Sequence, residues 1–248
     1  MIRPEPNFLQ SLDALERSIR ALSSIDAPLP QPASPDVAVL AAWLAPYEAW
    51  PLPQLYVDYI RRYGGVTCNV PSVGIGIRPL ATLLDYRRKR ESIGEVFQTR
   101  FVLLSNSNID GDLCLVLSDG RSARVALMND DDDILYVADS LGLYLWSAYF
   151  YLAEVAGARF RERITFSEVA RDGVDSFNLK LAVALDHAGF ELLGADSRRI
   201  CCQREGTRVY VGVRGVNISV SLGDRTSNRS VKQAEAEVLV ILDRCRGT

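Results

Sequence analysis

Apolar positions in the first sixty residues recur at helical spacing. Phe8, Leu12, Leu15, Ile19 and Leu22 fall at steps of four, three, four and three, which predicts a helix over residues 7–22 with Asn7 as its N-cap. Residues 26–35 carry four prolines and read as an extended, semi-rigid linker. Ser34-Pro35-Asp36 then offers an N-cap, a proline at the first helical position and a first-turn acid for a helix bearing Val39, Leu40, Trp43, Leu44 and Tyr47. From Pro53 onward Tyr56, Tyr59, Ile60 and Tyr63 share a face. Arg61 and Arg62 occupy the last turn of that helix, and Gly64-Gly65 ends it.

After residue 65 the periodicity changes. Val70 to Ile77 alternates loosely around Gly74 and Gly76, and a polar helix is expected over residues 79–98. Short apolar runs predict strands at Phe101–Leu104, Leu113–Leu117, Ala123–Met128 and Ile134–Val137, with Ser118-Asp119-Gly120 as a hairpin turn. Asp139-Ser140 caps an aromatic helix reaching about Glu154. Its apolar block, Leu141 to Val155, is too short for a membrane span of about 20 residues and is expected to form a buried amphipathic helix.

In the last third, Asp175 caps a helix with Phe177, Leu181, Ala184, Leu185 and Ala188 facing inward. Four strands follow, at Phe190–Leu193, Arg199–Arg204, Arg208–Val213 and Val216–Leu222. Ser230-Val-Lys-Gln233 reads as the capping box of a closing helix with Ala234, Val238, Ile241 and Cys245 aligned. The pattern predicts an α+β chain in three parts: an N-terminal helix and linker (1–30), a helix–sheet–helix region (31–158) and a small α+β C-terminal module (159–248).

Composition sets limits on function. With 248 residues, 48% hydrophobic and 24% charged, the chain has enough apolar surface for a sizeable core without metals or disulfides. A net charge of −3 disfavours general nucleic-acid binding, which needs a dense basic footprint. The N-terminus has no continuous apolar stretch, so a cytoplasmic location and no membrane contact are expected. Cys68, Cys114, Cys201, Cys202 and Cys245 are odd in number and show no CxxC spacing, the mark of free buried thiols. Cys201 and Cys202 are consecutive in a predicted strand, so their thiols should point to opposite faces.

Catalytic and cofactor motifs are poorly represented, and neither a cofactor nor a metal is expected. His187 is the single imidazole, and nothing in its local sequence sets a nucleophile beside it. Gly74-Ile-Gly76 lacks the third glycine and the following helix of a dinucleotide fingerprint, and the three lysines (Lys89, Lys180, Lys232) sit in no phosphate-binding loop. Asn106 to Gly111 resembles the start of a calcium loop, but its twelfth position is Leu117 within a strand, so it reads as a turn. The charge run Asp130 to Asp133 is the one feature that invites a partner. Consecutive carboxylates are tolerated in a solvated loop or opposite a cationic surface, and they speed association with basic proteins. The basic run Arg87 to Arg90 reads equally well as a helix face.

The segment Pro51-Leu-Pro-Gln-Leu-Tyr-Val-Asp-Tyr-Ile-Arg-Arg-Tyr-Gly-Gly65 resembles the opening of the SMI1/KNR4 (SUKH) superfamily. Ile77 to Leu80, the strand–turn–strand of Phe101 to Leu117, and Ala138-Asp-Ser140 before an aromatic helix are similar to its later segments, in the same order. The resemblance covers about residues 36–156; Leu141 stands where the family usually has Phe. It implies a mostly antiparallel, helix-surrounded sheet and a non-catalytic immunity protein of bacterial competition. Such a protein binds and neutralises a cognate polymorphic toxin, such as a basic nuclease or deaminase domain, by occluding its active surface. The residues expected to face the partner are Asp110, Asp112, Asp130, Asp131, Asp132 and Asp133. The alternatives are a non-catalytic intracellular adaptor or scaffold, and a hydrolase or other enzyme in the C-terminal module, any His-dependent version of which must use His187. The oligomeric state is left open.

Overall fold

A computed structural model of the chain describes residues 11–22, 33–48, 50, 52–64, 77–92, 100–105, 111–118, 121–128, 134–166, 173–214 and 217–246. The cap expected at Asn7 and most of the proline-rich stretch lie outside them. Helix α1 (Leu12–Arg20) starts instead from Ser11, whose Oγ accepts from the Ala14 N–H at 3.3 Å. Helix α2 (Val37–Leu44) is capped not by Ser34 but by Asp36, whose carboxylate accepts from the N–H groups of both Ala38 and Val39. The Asp36 carboxylate serves two first-turn N–H groups at once and places a negative charge at the positive end of the helix dipole.

Helix α3 (Gln54–Tyr63) buries Leu55, Tyr56, Tyr59, Ile60 and Tyr63, the face read from the sequence. It ends at Gly64 with φ +63°, where an added Cβ would lie 2.9 Å from the Ala33 carbonyl oxygen. Helix α4 (Leu80–Ser92) follows. Strands β1 (Phe101–Ser105), β2 (Asp112–Ser118), β3 (Arg121–Met128) and β4 (Ile134–Ala138) form an antiparallel sheet in sequence order. Ser118 faces Arg121 in the ladder, so two residues connect β2 to β3, as a hairpin signal requires.

Helix α5 (Leu141–Phe150) is the centre of the molecule. Ser140 caps it, accepting from the Leu143 N–H at 3.1 Å. All ten of its residues are buried, so the expected amphipathic helix is apolar on every side instead. The reason is that α1, α3, β3 and β4 pack against it from one direction and two strands of a second sheet from another. It runs on as a π-helical segment, Tyr151–Ala156.

The second sheet contains β5 (Phe160–Phe166), β6 (Glu191–Ala195), β7 (Arg199–Arg204), β8 (Thr207–Arg214) and β9 (Asn217–Asp224), all antiparallel, in the order β5-β9-β8-β7-β6. Strand β5 was not predicted, because Arg161, Glu162 and Arg163 break up its apolar positions. Helices α6 (Val174–His187) and α7 (Asn228–Arg246) cover one face of this sheet. Helix α6 begins one residue before the expected cap Asp175, from Gly173. Helix α7 begins from Ser227, whose Oγ accepts from the Ser230 N–H, rather than from a box opened by Ser230. Asp224, at the end of β9, fixes that start by accepting from the N–H groups of Thr226 and Ser227.

The other face of the second sheet turns toward α5. Cys201 and Tyr210 point that way and join the core formed by the first sheet, while Cys202 points to the core beneath α6 and α7. The consecutive thiols therefore do face opposite sides of their strand. Burial pushes both thiols up, Cys202 to about 12. Cys114 and Cys245 are likewise buried and in no disulfide among the described residues; Cys68 lies outside them.

Candidate functional site

The ladder register brings together the strand ends that flank the acidic segments. Asp112, the first residue of β2, pairs with Met128, the last of β3, and Met128 pairs with Ile134, the first of β4. Ser105, the last residue of β1, pairs with Leu113. The strand ends that flank residues 106–110 and 129–133 therefore lie at one end of the sheet, on neighbouring strands about 5 Å apart. Between them these segments and Asp112 carry six carboxylates (Asp110, Asp112 and Asp130 to Asp133) and no basic residue. Asp110 and Asp130 to Asp133 themselves lie outside the described residues.

Asp112 is half-buried, and its position has a local cause. The Tyr86 hydroxyl on α4 donates to the carboxylate, 3.1 Å from Oδ2 and 3.3 Å from Oδ1, and Arg90 Nη1 donates to that same hydroxyl oxygen. This clamps the start of β2 to α4. In the rest of the basic run Arg87 pairs with Glu91 at 2.9 Å and lies over the Tyr47 ring, and Arg88 lies 3.8 Å from Asp85. It is a helix face.

The far end of β4 enters a polar node that joins the two sheets. Asp196, in the β6–β7 turn, accepts from the Arg198 N–H at 2.7 Å and the Arg199 N–H at 2.6 Å through Oδ1. Its Oδ2 accepts from the Asp139 N–H at 2.8 Å. Asp139 returns the contact by accepting from the Ser197 N–H, and its other oxygen takes two bonds from the Arg124 guanidinium. Arg199 is buried; its Nε donates to the Val137 carbonyl, its Nη1 to Ser147 Oγ, and its guanidinium stacks 4.5 Å from the centre of the Tyr144 ring. Asn178 Nδ2 donates to the Asp196 carbonyl oxygen. No sequence motif pointed to this node, since its carboxylates are 57 residues apart.

Burial pushes the Asp196 carboxyl from 3.8 up to about 6, with the nearby Asp139 carboxylate adding to the rise and the backbone N–H donors and Arg199 opposing it. A carboxyl whose folded value lies above its unfolded value stabilises the fold fully below the unfolded value and loses that contribution as pH rises through the folded one. Unfolding free energy should therefore fall between pH 4 and 6 by on the order of 2 kcal/mol relative to Asp196→Asn. Urea titrations of both proteins across that range measure the difference; a gap that does not change with pH would show Asp196 already ionised at pH 4.

His187 lies exposed in the last turn of α6, at one end of a shallow depression lined also by Ser176, Leu179, Lys180, Val183 and Ala184. Ser176 is eleven residues away along the helix, roughly 16 Å at 1.5 Å per residue, so the two do not form a dyad. No group of three or more metal-ligating side chains occurs among the described residues, and no described helix is long and apolar enough to cross a membrane. Comparison with known proteins gives no match to any family model, curated protein or solved structure.

Proposed function

We propose that this chain is a protein-binding module that docks a basic partner on the acidic end of its first sheet, and that the partner is a bacterial toxin it neutralises. The toxin part of the reading rests on the resemblance of residues 36–156 to the SMI1/KNR4 (SUKH) superfamily. The observation that carries the binding part is the register that roots both acidic segments side by side. Carboxylates gathered on one rim raise the local negative potential and steer a cationic surface before contact. A toxin surface built for phosphate would meet them in place of its substrate. The clamp of Asp112 by Tyr86 and the node at the end of β4 tie down the strands that flank these segments.

Co-expression with the protein encoded beside it should give a complex that co-purifies and should relieve growth arrest. The absence of both rescue and a complex would overturn the toxin reading. Within such a complex, Asp131→Lys with Asp132→Lys should slow association on the order of tenfold and flatten its salt dependence, while thermal unfolding stays unchanged. Stopped-flow association rates at two ionic strengths measure this. An unchanged rate would remove the acidic rim from the proposal and leave the rest standing.

A further inference from the structure

Strand β5 is an outer strand of the second sheet, and its chemistry is unlike that of the other edges. Antiparallel pairing with β9 uses the N–H and C=O groups of alternate residues, which leaves the remaining ones directed away from the sheet. No described residue makes a backbone hydrogen bond to them. The strand is seven residues long, enough to template another strand.

Its two faces differ. Arg159, just before the strand, and Arg161 and Arg163 within it project from one face at two-residue spacing, and all three are exposed. They form no ion pair with a described residue: Arg159 stacks on Phe160, Arg161 donates to the Ala156 carbonyl, and Arg163 donates to Ser219 Oγ. On the opposite face Phe160 and Ile164 are only half-buried, and Glu162 is already paired with Lys232 at 2.6 Å.

We propose that the β5 edge binds an extended peptide alternating acidic and apolar residues, which adds to the second sheet as a sixth strand. Cross-strand neighbours on one face of an antiparallel pair lie about 5 Å apart, so acidic residues at every second position fall beside the arginine row. The intervening apolar residues fall beside Phe160 and Ile164 and complete their burial. Main-chain bonds supply affinity and the alternation supplies specificity. The surface differs in sign and place from the acidic rim of the first sheet, and the two can be occupied at once.

Fluorescence anisotropy of the full chain with a labelled nine-residue peptide alternating Glu and Val tests this. Binding is expected, and a Lys–Val peptide of the same length should not bind. Two further versions, N-methylated at the odd or at the even backbone positions, separate strand pairing from charge. One of them, with its methyl groups on the edge facing β5, should lose binding at least tenfold, and the other should keep it. Arg161→Gln with Arg163→Gln should weaken binding about tenfold with circular dichroism and thermal unfolding unchanged. Equal binding of both methylated peptides would overturn the strand-pairing proposal. So would equal or tighter binding of a single-stranded oligonucleotide or of phosphatidylserine vesicles, or binding unaffected by the double substitution.

Discussion

Arg199→Ala is expected to lower unfolding free energy by about 3–5 kcal/mol, which for a chain of this size is a fall in Tm on the order of 10 °C. The guanidinium is the buried link between the sheets, donating to the Val137 carbonyl of β4 and to Ser147 Oγ of α5 while lying over the Tyr144 ring. Truncation leaves a buried carbonyl without its charged donor and a void where the side chain lay. It also removes a cation whose charge favours the Asp196 carboxylate, which burial already disfavours. Arg199→Lys should fall between the two, since a single ammonium cannot span both acceptors in the fork geometry of Arg. Urea unfolding followed by tryptophan fluorescence measures the loss. A change below about 1 kcal/mol, the worth of an exposed pair, would show that apolar packing around α5 holds the sheets together without the node.

The elements with strong local signals were readable from the chain. Helix α3 ends at Gly64 because a left-handed residue is needed there, and β2–β3 turns where Asp119-Gly120 allows it. The opposed thiols of Cys201 and Cys202 followed from strand geometry alone. Cap positions moved by two or three residues wherever several Ser and Asp residues competed, as at Asp36 and Ser227, because each can accept from the same first-turn N–H groups. Strand β5 was hidden for a different reason. Its exposed face is charged, and only pairing with β9 makes it a strand.

What determines the candidate site was less accessible. The acidic residues were visible as a composition, but that their flanking strand ends lie at one end of the sheet depends on which residues of β2, β3 and β4 face one another, a relation between distant positions. The same holds for the node, where Asp139 and Asp196 meet only after both sheets form. The all-round burial of α5 likewise follows from a second sheet whose strands lie after it in the chain. A helix that reads as apolar on every side signals burial without naming the layers that enclose it.

Those layers are brought close by two glycines, and substituting them should give graded losses. An added Cβ at Gly223 on β9 would lie 2.9 Å from Val155 Cα, Val155 O and Ala158 Cβ, so the obstruction is mainly the backbone at the end of the π-helical segment. That backbone has little freedom to retreat: Arg225 Nη2 donates to the Ala153 carbonyl and Arg208 lies 3.4 Å from the buried Glu154 carboxylate. Gly223→Ala should therefore cost about 3 kcal/mol, the upper end for overpacking. At Gly194 on β6 the Cβ would meet side-chain tips, Leu143 Cδ1 at 3.2 Å and Trp146 Cζ3 at 3.3 Å, which can shift by a few tenths of an ångström. Gly194→Ala should cost about 1 kcal/mol. Gly173, with nothing within 4 Å of an added Cβ, is the control, and its substitution should change stability by less than about 1 kcal/mol. Urea unfolding of the three variants gives the order directly. If Gly194→Ala proved more costly than Gly223→Ala, the tight layer would be α5 against β6, and the π-helical segment would be free to move on β9.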